Sequence, residues 1–147
     1  MSKAKKAILA LLVAIFAYCS THERAKGSEN IPVIDDSIKI LQNCDLLKEK
    51  WPTAYAQLDG ITPFVYYTTV KNENACAQFY AGIIVVYPPA FSIDCYGGNV
   101  TAVIAHEILH QIGLPNHKIR PRNEAEWVQY LRTDPIEKIM AVCWGSR

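Results

Sequence analysis

The sequence predicts an α+β domain: a small mixed sheet with a backing helix before it and a second, histidine-bearing helix after it. Three observations lead to this prediction. Residues 35–51 place apolar side chains at helical spacing, residues 61–91 are rich in β-branched and aromatic residues, and residues 99–113 form a strongly apolar stretch that two glycines precede. The 147 residues fit one domain, with the helices gathered on one face of the sheet.

The backing helix is expected to begin near Pro32 and residues 35–37 and to continue through residues 38–51. Its apolar side chains recur at the three- and four-residue intervals of an amphipathic helix. Pro52 follows directly, and proline cannot continue a helix.

The strands are expected in two segments. Residues 61–70 read as the first, and Pro63 restricts it to a strand end or an edge position. Residues 76–91 read as one or two further strands with a bend at Gly82, ended by the pair that Pro88 begins.

After the histidine-bearing helix, the basic and turn-prone residues 118–123 read as a loop. Residues 124–133 are then expected to form a helix, which Asp134 and Pro135 end. The closing residues complete an order of helix, strands, helix, helix.

The N-terminus reads as an export signal. Three lysines precede the apolar residues 7–17, which are too few to span a bilayer comfortably. We divide the chain into a signal peptide at 1–19, a flexible tether at 20–30 and a catalytic domain at 31–147. Cleavage after Cys19 is favoured, with acylation of Cys19 or retention as an anchor as the alternatives, so we expect a secreted or cell-envelope protein.

The remaining four cysteines are Cys44, Cys76, Cys95 and Cys143. An even count in an exported chain indicates two disulfides in one of three pairings, and four buried thiols are the alternative. The formal net charge of +1 gives no basic face for nucleic acid. We expect a monomer that meets a membrane only through its N-terminal anchor or lipid.

The stretch HEILHQIGLPNH contains the candidate metal ligands. His106 and His110 are four residues apart, so on a helix both imidazoles project from one face and can meet a tetrahedral ion at about 2.0–2.1 Å. Glu107 is placed to take a proton from water rather than to bind the ion. Asn99 is a candidate helix cap, and Gly113 is suited to a sharp helix end.

The pattern HExxHxxG with a later methionine resembles the metzincin clan of zinc endopeptidases, and HxxGLPxH resembles its small snapalysin group. The resemblance covers roughly the last third of the chain and implies a minimal metzincin-like fold. It implies Zn²⁺ held by His106 and His110, with Glu107 as the general base. It also implies that the segment around Met140 forms the methionine turn beneath the metal.

The third ligand departs from the family pattern. Asn116 stands where the snapalysin group has an aspartate, and a neutral amide oxygen is a weak zinc ligand. His117, one residue further, offers an imidazole and is our preferred ligand. The loop could also supply none. A gluzincin-type site with Glu124 or Glu126 as the third ligand is the rival arrangement.

These residues predict a zinc-dependent endopeptidase that hydrolyses peptide bonds of a peptide or protein substrate. An extended substrate is expected to pair with an edge strand from residues 79–91. Val142 stands where some metzincins have a tyrosine that assists the oxyanion, which leaves Tyr96 and Tyr130 as candidates. The alternative is a non-catalytic metal-binding or protein-binding module on the same scaffold.

Overall fold

The computed structural model describes residues 31–117 and 123–144. The predicted signal (1–19), with Cys19, and the tether (20–30) lie outside the described residues. The elements in chain order are α1 Ile31–Gln42, α2 Asp45–Lys50, α3 Pro52–Ala56, β1 Phe64–Tyr67, β2 Ala77–Tyr80, β3 Ile83–Val86, 3-10 turns at Pro88–Phe91 and Tyr96–Gly98, α4 Val100–Gln111, α5 Glu124–Thr133 and α6 Pro135–Trp144. The predicted α+β class with a small mixed sheet is confirmed.

The backing helix differs from the sequence prediction. It begins earlier, at Ile31, and breaks after Gln42, so that one predicted helix becomes α1 and α2. The Asn43 side chain donates to the Lys39 carbonyl at 2.8 Å, and Cys44 has an extended backbone that ends the helical ladder. Pro52 ends α2 but also begins α3, since its fixed φ and missing N–H suit a first helical turn.

The sheet has three strands in the order β1–β3–β2. β1 runs parallel to β3, and β2 runs antiparallel to it, so the sheet is mixed. Ala81 and Gly82 connect β2 to β3, and both have positive φ, as a two-residue hairpin turn requires. Pro63 lies just before β1, an edge strand, as its missing backbone donor predicts.

The two faces of the sheet differ in burial. Val65, Ile84 and Phe79 are cross-strand neighbours on the face that packs against α4. The neighbouring row of Phe64, Ile83 and Tyr80 points to the opposite face and is exposed. Among the described residues, α4 therefore covers the face that bears Val65 and Ile84 and leaves the opposite face exposed.

Helix α4 forms the centre of the domain. It contacts α1, α6 and strands β2 and β3, and seven of its residues are buried. Ser37 of α1 is fully buried, and its hydroxyl donates to the Thr101 carbonyl at 2.9 Å. This hydrogen bond links the start of α4 to the backing helix. The histidine-bearing helix is therefore held on two sides by the core.

The segment around Met140 is a helix, so the prediction of a methionine turn is wrong. Asp134 accepts hydrogen bonds from the backbone N–H groups of Ile136 and Glu137 at 3.0 Å, and Pro135 takes the first helical position. Ile136, Ile139 and Met140 are buried at helical spacing in the core. Met140 therefore has a packing role in α6.

Two disulfides join distant parts of the described chain, which confirms the predicted number. Cys44 pairs with Cys143 at a Cα separation of 5.6 Å, and Cys76 pairs with Cys95 at 6.0 Å. Disulfides of this kind indicate an oxidising extracellular or periplasmic environment. Within the described residues, no helix has the length and apolar character needed to cross a membrane.

Candidate metal centre

Helix α4 begins where the sequence predicts. The Asn99 side chain accepts a hydrogen bond from the Ala102 backbone N–H at 3.2 Å, which satisfies one of the unpaired donors of the first turn. The helix then continues without a break to Gln111. His106 and His110 consequently project from one face, with ring centroids 5.2 Å apart.

The helix ends in a Schellman turn at Gly113. The Gly113 N–H donates to the His110 carbonyl at 3.1 Å, and the Leu114 N–H donates to the Leu109 carbonyl at 3.0 Å. Gly113 has a φ of +97°, which side chains with a Cβ adopt only with strain. Leu114 is buried, so the chain turns back over the helix before it reaches His117.

The turn brings His117 to the two helical histidines. Its ring centroid lies 4.7 Å from that of His106 and 4.9 Å from that of His110. One nitrogen from each ring lies within 4.8 Å of the other two, so these three residues form a group that could hold a metal ion. Asn116 is exposed beside them.

Of the two glutamates of the rival arrangement, Glu126 does not join this group. Glu126 is exposed on α5, and the side chain of Glu124 lies outside the described part of the chain. Ligation of a metal by His106, His110 and His117 remains a prediction, but the structure brings together the three imidazoles that the sequence selected.

Asp134 supports His117 from outside the histidine group. Its Oδ2 lies 2.9 Å from His117 Nδ1, and its Oδ1 caps helix α6. Burial alone raises the pKa of Asp134, but the backbone N–H of Glu137 and the His117 side chain outweigh it and lower the pKa. Because the carboxylate is ionised and can only accept, His117 Nδ1 carries a hydrogen, and Nε2 is the ring nitrogen that could bind a metal ion.

Tyr96 supports His106 in a similar way. Its hydroxyl lies 2.5 Å from His106 Nδ1 and 3.3 and 3.5 Å from the two carboxylate oxygens of Glu137. Burial and the nearby Glu137 raise the pKa of Tyr96, so its single hydroxyl hydrogen is retained. Because this hydroxyl is engaged behind His106, Tyr96 is poorly placed to stabilise an oxyanion. Tyr130, the other candidate, hydrogen-bonds Asp134.

The three imidazoles have the properties of metal ligands. Burial and the neighbouring His117 lower the pKa of His106 to about 3, and burial lowers the pKa of His110, so both rings are neutral near pH 7. His106 Nε2 and His117 Nε2 face each other at 2.7 Å. Two ligands of a tetrahedral Zn²⁺ stand about 3.3 Å apart, so a small outward movement of the rings would suffice.

Glu107 lies beside the histidines in the same cleft. It is 6 % exposed and accepts a hydrogen bond from the Phe79 backbone N–H. Burial raises the pKa of Glu107 to about 7, although Phe79 and His117 partly offset the effect. A carboxyl group with this pKa can exchange a proton near neutral pH.

The cleft has a volume of about 890 Å³ and extends from the histidines along β2, which is an edge strand. The Tyr87 N–H donates to the Cys76 carbonyl, so the alternating antiparallel ladder turns the backbone groups of Ala77 and Phe79 away from β3. One of them, the Phe79 N–H, meets Glu107. The edge of β2 thus borders the candidate metal centre.

Sequence reasoning missed the supporting roles of Asp134 and Glu137. The sequence prediction uses Asp134 only as the end of the preceding helix, although Asp-Pro followed by a glutamate is also the pattern of a helix N-terminus. That signal could have located the start of α6. It could not have shown that the same two carboxylates reach His117 and the Tyr96 hydroxyl.

No protein-family model, curated protein or solved structure matches the chain. The functional conclusion therefore depends on the residues and the geometry of the site.

Proposed function

We propose that the protein is a zinc-dependent endopeptidase. The observation that carries the proposal is the convergence of three imidazoles beside a buried glutamate, in a cleft that an edge strand borders. A purely structural metal site has no use for Glu107 next to its first ligand. The motif HExxHxxG resembles that of the metzincins, although α6 replaces the methionine turn of that clan.

His106, His110 and His117 would hold the ion. When bound, a Zn²⁺ ion with three such ligands would supply the Lewis acidity that makes a water molecule a better nucleophile near neutral pH. Glu107 accepts the proton that the attacking water loses and returns it to the amine that leaves. The hydrogen bond from Phe79 orients the Glu107 carboxylate for both transfers.

The substrate we propose is an extended peptide or protein segment that lies along the edge of β2. The outward backbone groups of Ala77 and the Phe79 carbonyl can hydrogen-bond a peptide, while Phe79 N–H stays with Glu107. Cleft residues Gln78, Tyr80 and Tyr87 can contact its side chains. This arrangement would deliver a peptide carbonyl close to the histidines.

The proposed place of action is outside the cytoplasm, as a secreted or cell-envelope protein. The two disulfides support this setting, since such bonds persist where thiols are oxidised. Removal of residues 1–19, or acylation at Cys19, remains the proposed processing.

Cleavage of casein and a fluorogenic peptide library by purified protein tests the function. The protein is measured after loading with Zn²⁺ and after treatment with a chelator, beside the variants Glu107→Gln and Glu49→Gln. Glu49 is exposed on α2 and gives the same chemical change away from the cleft. We expect cleavage only with metal and a kcat lowered about 10²- to 10⁴-fold by Glu107→Gln, with zinc still bound.

Three outcomes would contradict the proposal: cleavage that survives the chelator, a Glu107→Gln variant as active as Glu49→Gln, or zinc binding without cleavage of any library peptide. The third outcome favours the non-catalytic metal-binding or protein-binding module.

A further inference from the structure

The hydroxyl of Tyr96 lies between two acceptors that it cannot satisfy together. His106 Nδ1 is 2.5 Å away, and the nearer Glu137 carboxylate oxygen is 3.3 Å away. One hydroxyl carries one hydrogen, so it donates to only one of them at a time. The acceptor of the Tyr96 hydrogen bond depends on which ring nitrogen of His106 carries hydrogen.

His106 is a neutral ring with a single N–H, and its two tautomers use different hydrogen-bond partners. With hydrogen on Nε2, the ring donates to His117 Nε2 at 2.7 Å, and Tyr96 donates to Nδ1. With hydrogen on Nδ1, the ring donates to the Tyr96 oxygen, and Tyr96 donates to Glu137. Only the second tautomer leaves a lone pair on Nε2.

We propose that Glu137 is a positioning residue that, through Tyr96, selects the His106 tautomer able to bind a metal ion. His106 can bind a metal ion through Nε2 only when its ring hydrogen is on Nδ1. The Tyr96 oxygen can accept that hydrogen only when the Tyr96 O–H donates to a different acceptor. Glu137 is the acceptor in place. Asp134 accepts the Nδ1 hydrogen of His117 directly. Two carboxylates three residues apart at the start of α6 therefore determine which ring nitrogen carries the hydrogen in two of the candidate ligands.

This inference rests on the proposed metal site but not on peptidase activity. Failure to cleave peptides would leave it intact, and an unchanged zinc affinity in the variants below would overturn it while the proposed function stood.

The first test uses the wild-type protein. Long-range ¹H–¹⁵N correlation spectra of ¹⁵N-labelled protein report which ring nitrogen of each histidine carries hydrogen. In the chelated protein we expect His106 to carry hydrogen on Nε2, and after addition of Zn²⁺ on Nδ1. His117 should carry hydrogen on Nδ1 in both states because Asp134 holds it there. A His106 hydrogen that stays on Nε2 in the zinc-loaded protein would refute the proposal.

The second test measures zinc affinity by competition with a chromophoric chelator. Glu137→Leu removes the acceptor, and we expect the Kd to rise about 10- to 100-fold, as for other groups that orient metal ligands. Glu137→Gln keeps a carbonyl acceptor and should recover part of the loss. Tyr96→Phe should weaken binding to a similar extent.

The double variant separates a relay from general damage to the fold. Glu137 Oε1 itself lies 3.8 Å from His106 Nδ1, beyond hydrogen-bond distance. Without the Tyr96 hydroxyl there is therefore no hydrogen bond from one to the other, and adding Glu137→Leu to Tyr96→Phe should not weaken binding further. Effects that multiply would mean independent roles and would overturn the proposal. Tyr55→Phe, which removes a hydroxyl bonded to the Gln42 carbonyl, is the matched control and should bind zinc like the wild type.

Discussion

Replacement of Glu107 by glutamine should change how the stability of the metal-free protein depends on pH. The pKa of Glu107 is raised from its ordinary value of 4.5 to about 7, chiefly because the side chain is buried. Below pH 4.5 the carboxyl group is protonated in both the folded and the unfolded chain. Between pH 4.5 and 7 the unfolded chain loses this proton while the folded chain keeps it, so folding becomes less favourable as pH rises.

The size of the effect follows from the two pKa values. At about 1.4 kcal/mol per pH unit, the wild type loses roughly 3 kcal/mol from this one group between pH 4.5 and pH 7. Glutamine occupies nearly the same volume and cannot ionise. The free energy of unfolding of Glu107→Gln, relative to that of the wild type, should therefore rise by roughly 3 kcal/mol over this range.

Urea unfolding in the presence of a chelator, at steps between pH 4.5 and 8, measures this difference. Comparison of the two proteins removes the histidine contribution that is independent of Glu107, and the effect of His117 on Glu107 is already contained in the pKa of about 7. Glu49→Gln corrects for the loss of a carboxylate at an exposed position. A wild type and a Glu107→Gln variant whose unfolding free energies run parallel across the range would show that Glu107 is not a desolvated acid, and the reasoning for its role as a base would fail.

Two further substitutions test the elements that position the histidines. Gly113→Ala places a Cβ on a backbone with a φ of +97°, so we expect the free energy of unfolding to fall by ~1–2 kcal/mol and zinc affinity to fall with it; unchanged stability would contradict the assigned turn. Asp134→Ala removes a helix cap and the partner of His117, so we expect a loss of about 1 kcal/mol in stability and a zinc Kd raised about 10- to 100-fold. Asn123→Ala removes the corresponding cap of α5 without touching the histidines, and an equal loss of zinc affinity in that variant would show that the Asp134 effect is only structural.

The elements that local chemistry controls could be predicted from the sequence. Pro63 kept the first strand at an edge, Asn99 capped α4, and Gly113 ended it, because each of these residues restricts or satisfies its own backbone. One or two strands with a bend at Gly82 were expected from the β-branched and aromatic residues of 76–91, and the structure has two, β2 and β3.

The errors have different physical causes. The break at Cys44 accompanies a disulfide to Cys143, 99 residues away, which local periodicity cannot reveal. Met140 was assigned by resemblance, whereas the Asp-Pro pair at 134–135 starts a helix whose apolar spacing fills the core. The position of His117 depends on the path of the chain after Gly113, and the spacing alone left the third ligand open.

The central claim is that His106, His110 and His117 together hold one zinc ion. X-ray absorption spectroscopy of the zinc-loaded protein, at a stoichiometry fixed by titration, tests it most directly. We expect one ion per chain, with scattering from three imidazole nitrogens at about 2.0–2.1 Å and a loss of stoichiometric binding in His117→Ala. Stoichiometric binding that persists in His117→Ala, or a spectrum with fewer than three imidazoles, would contradict the claim.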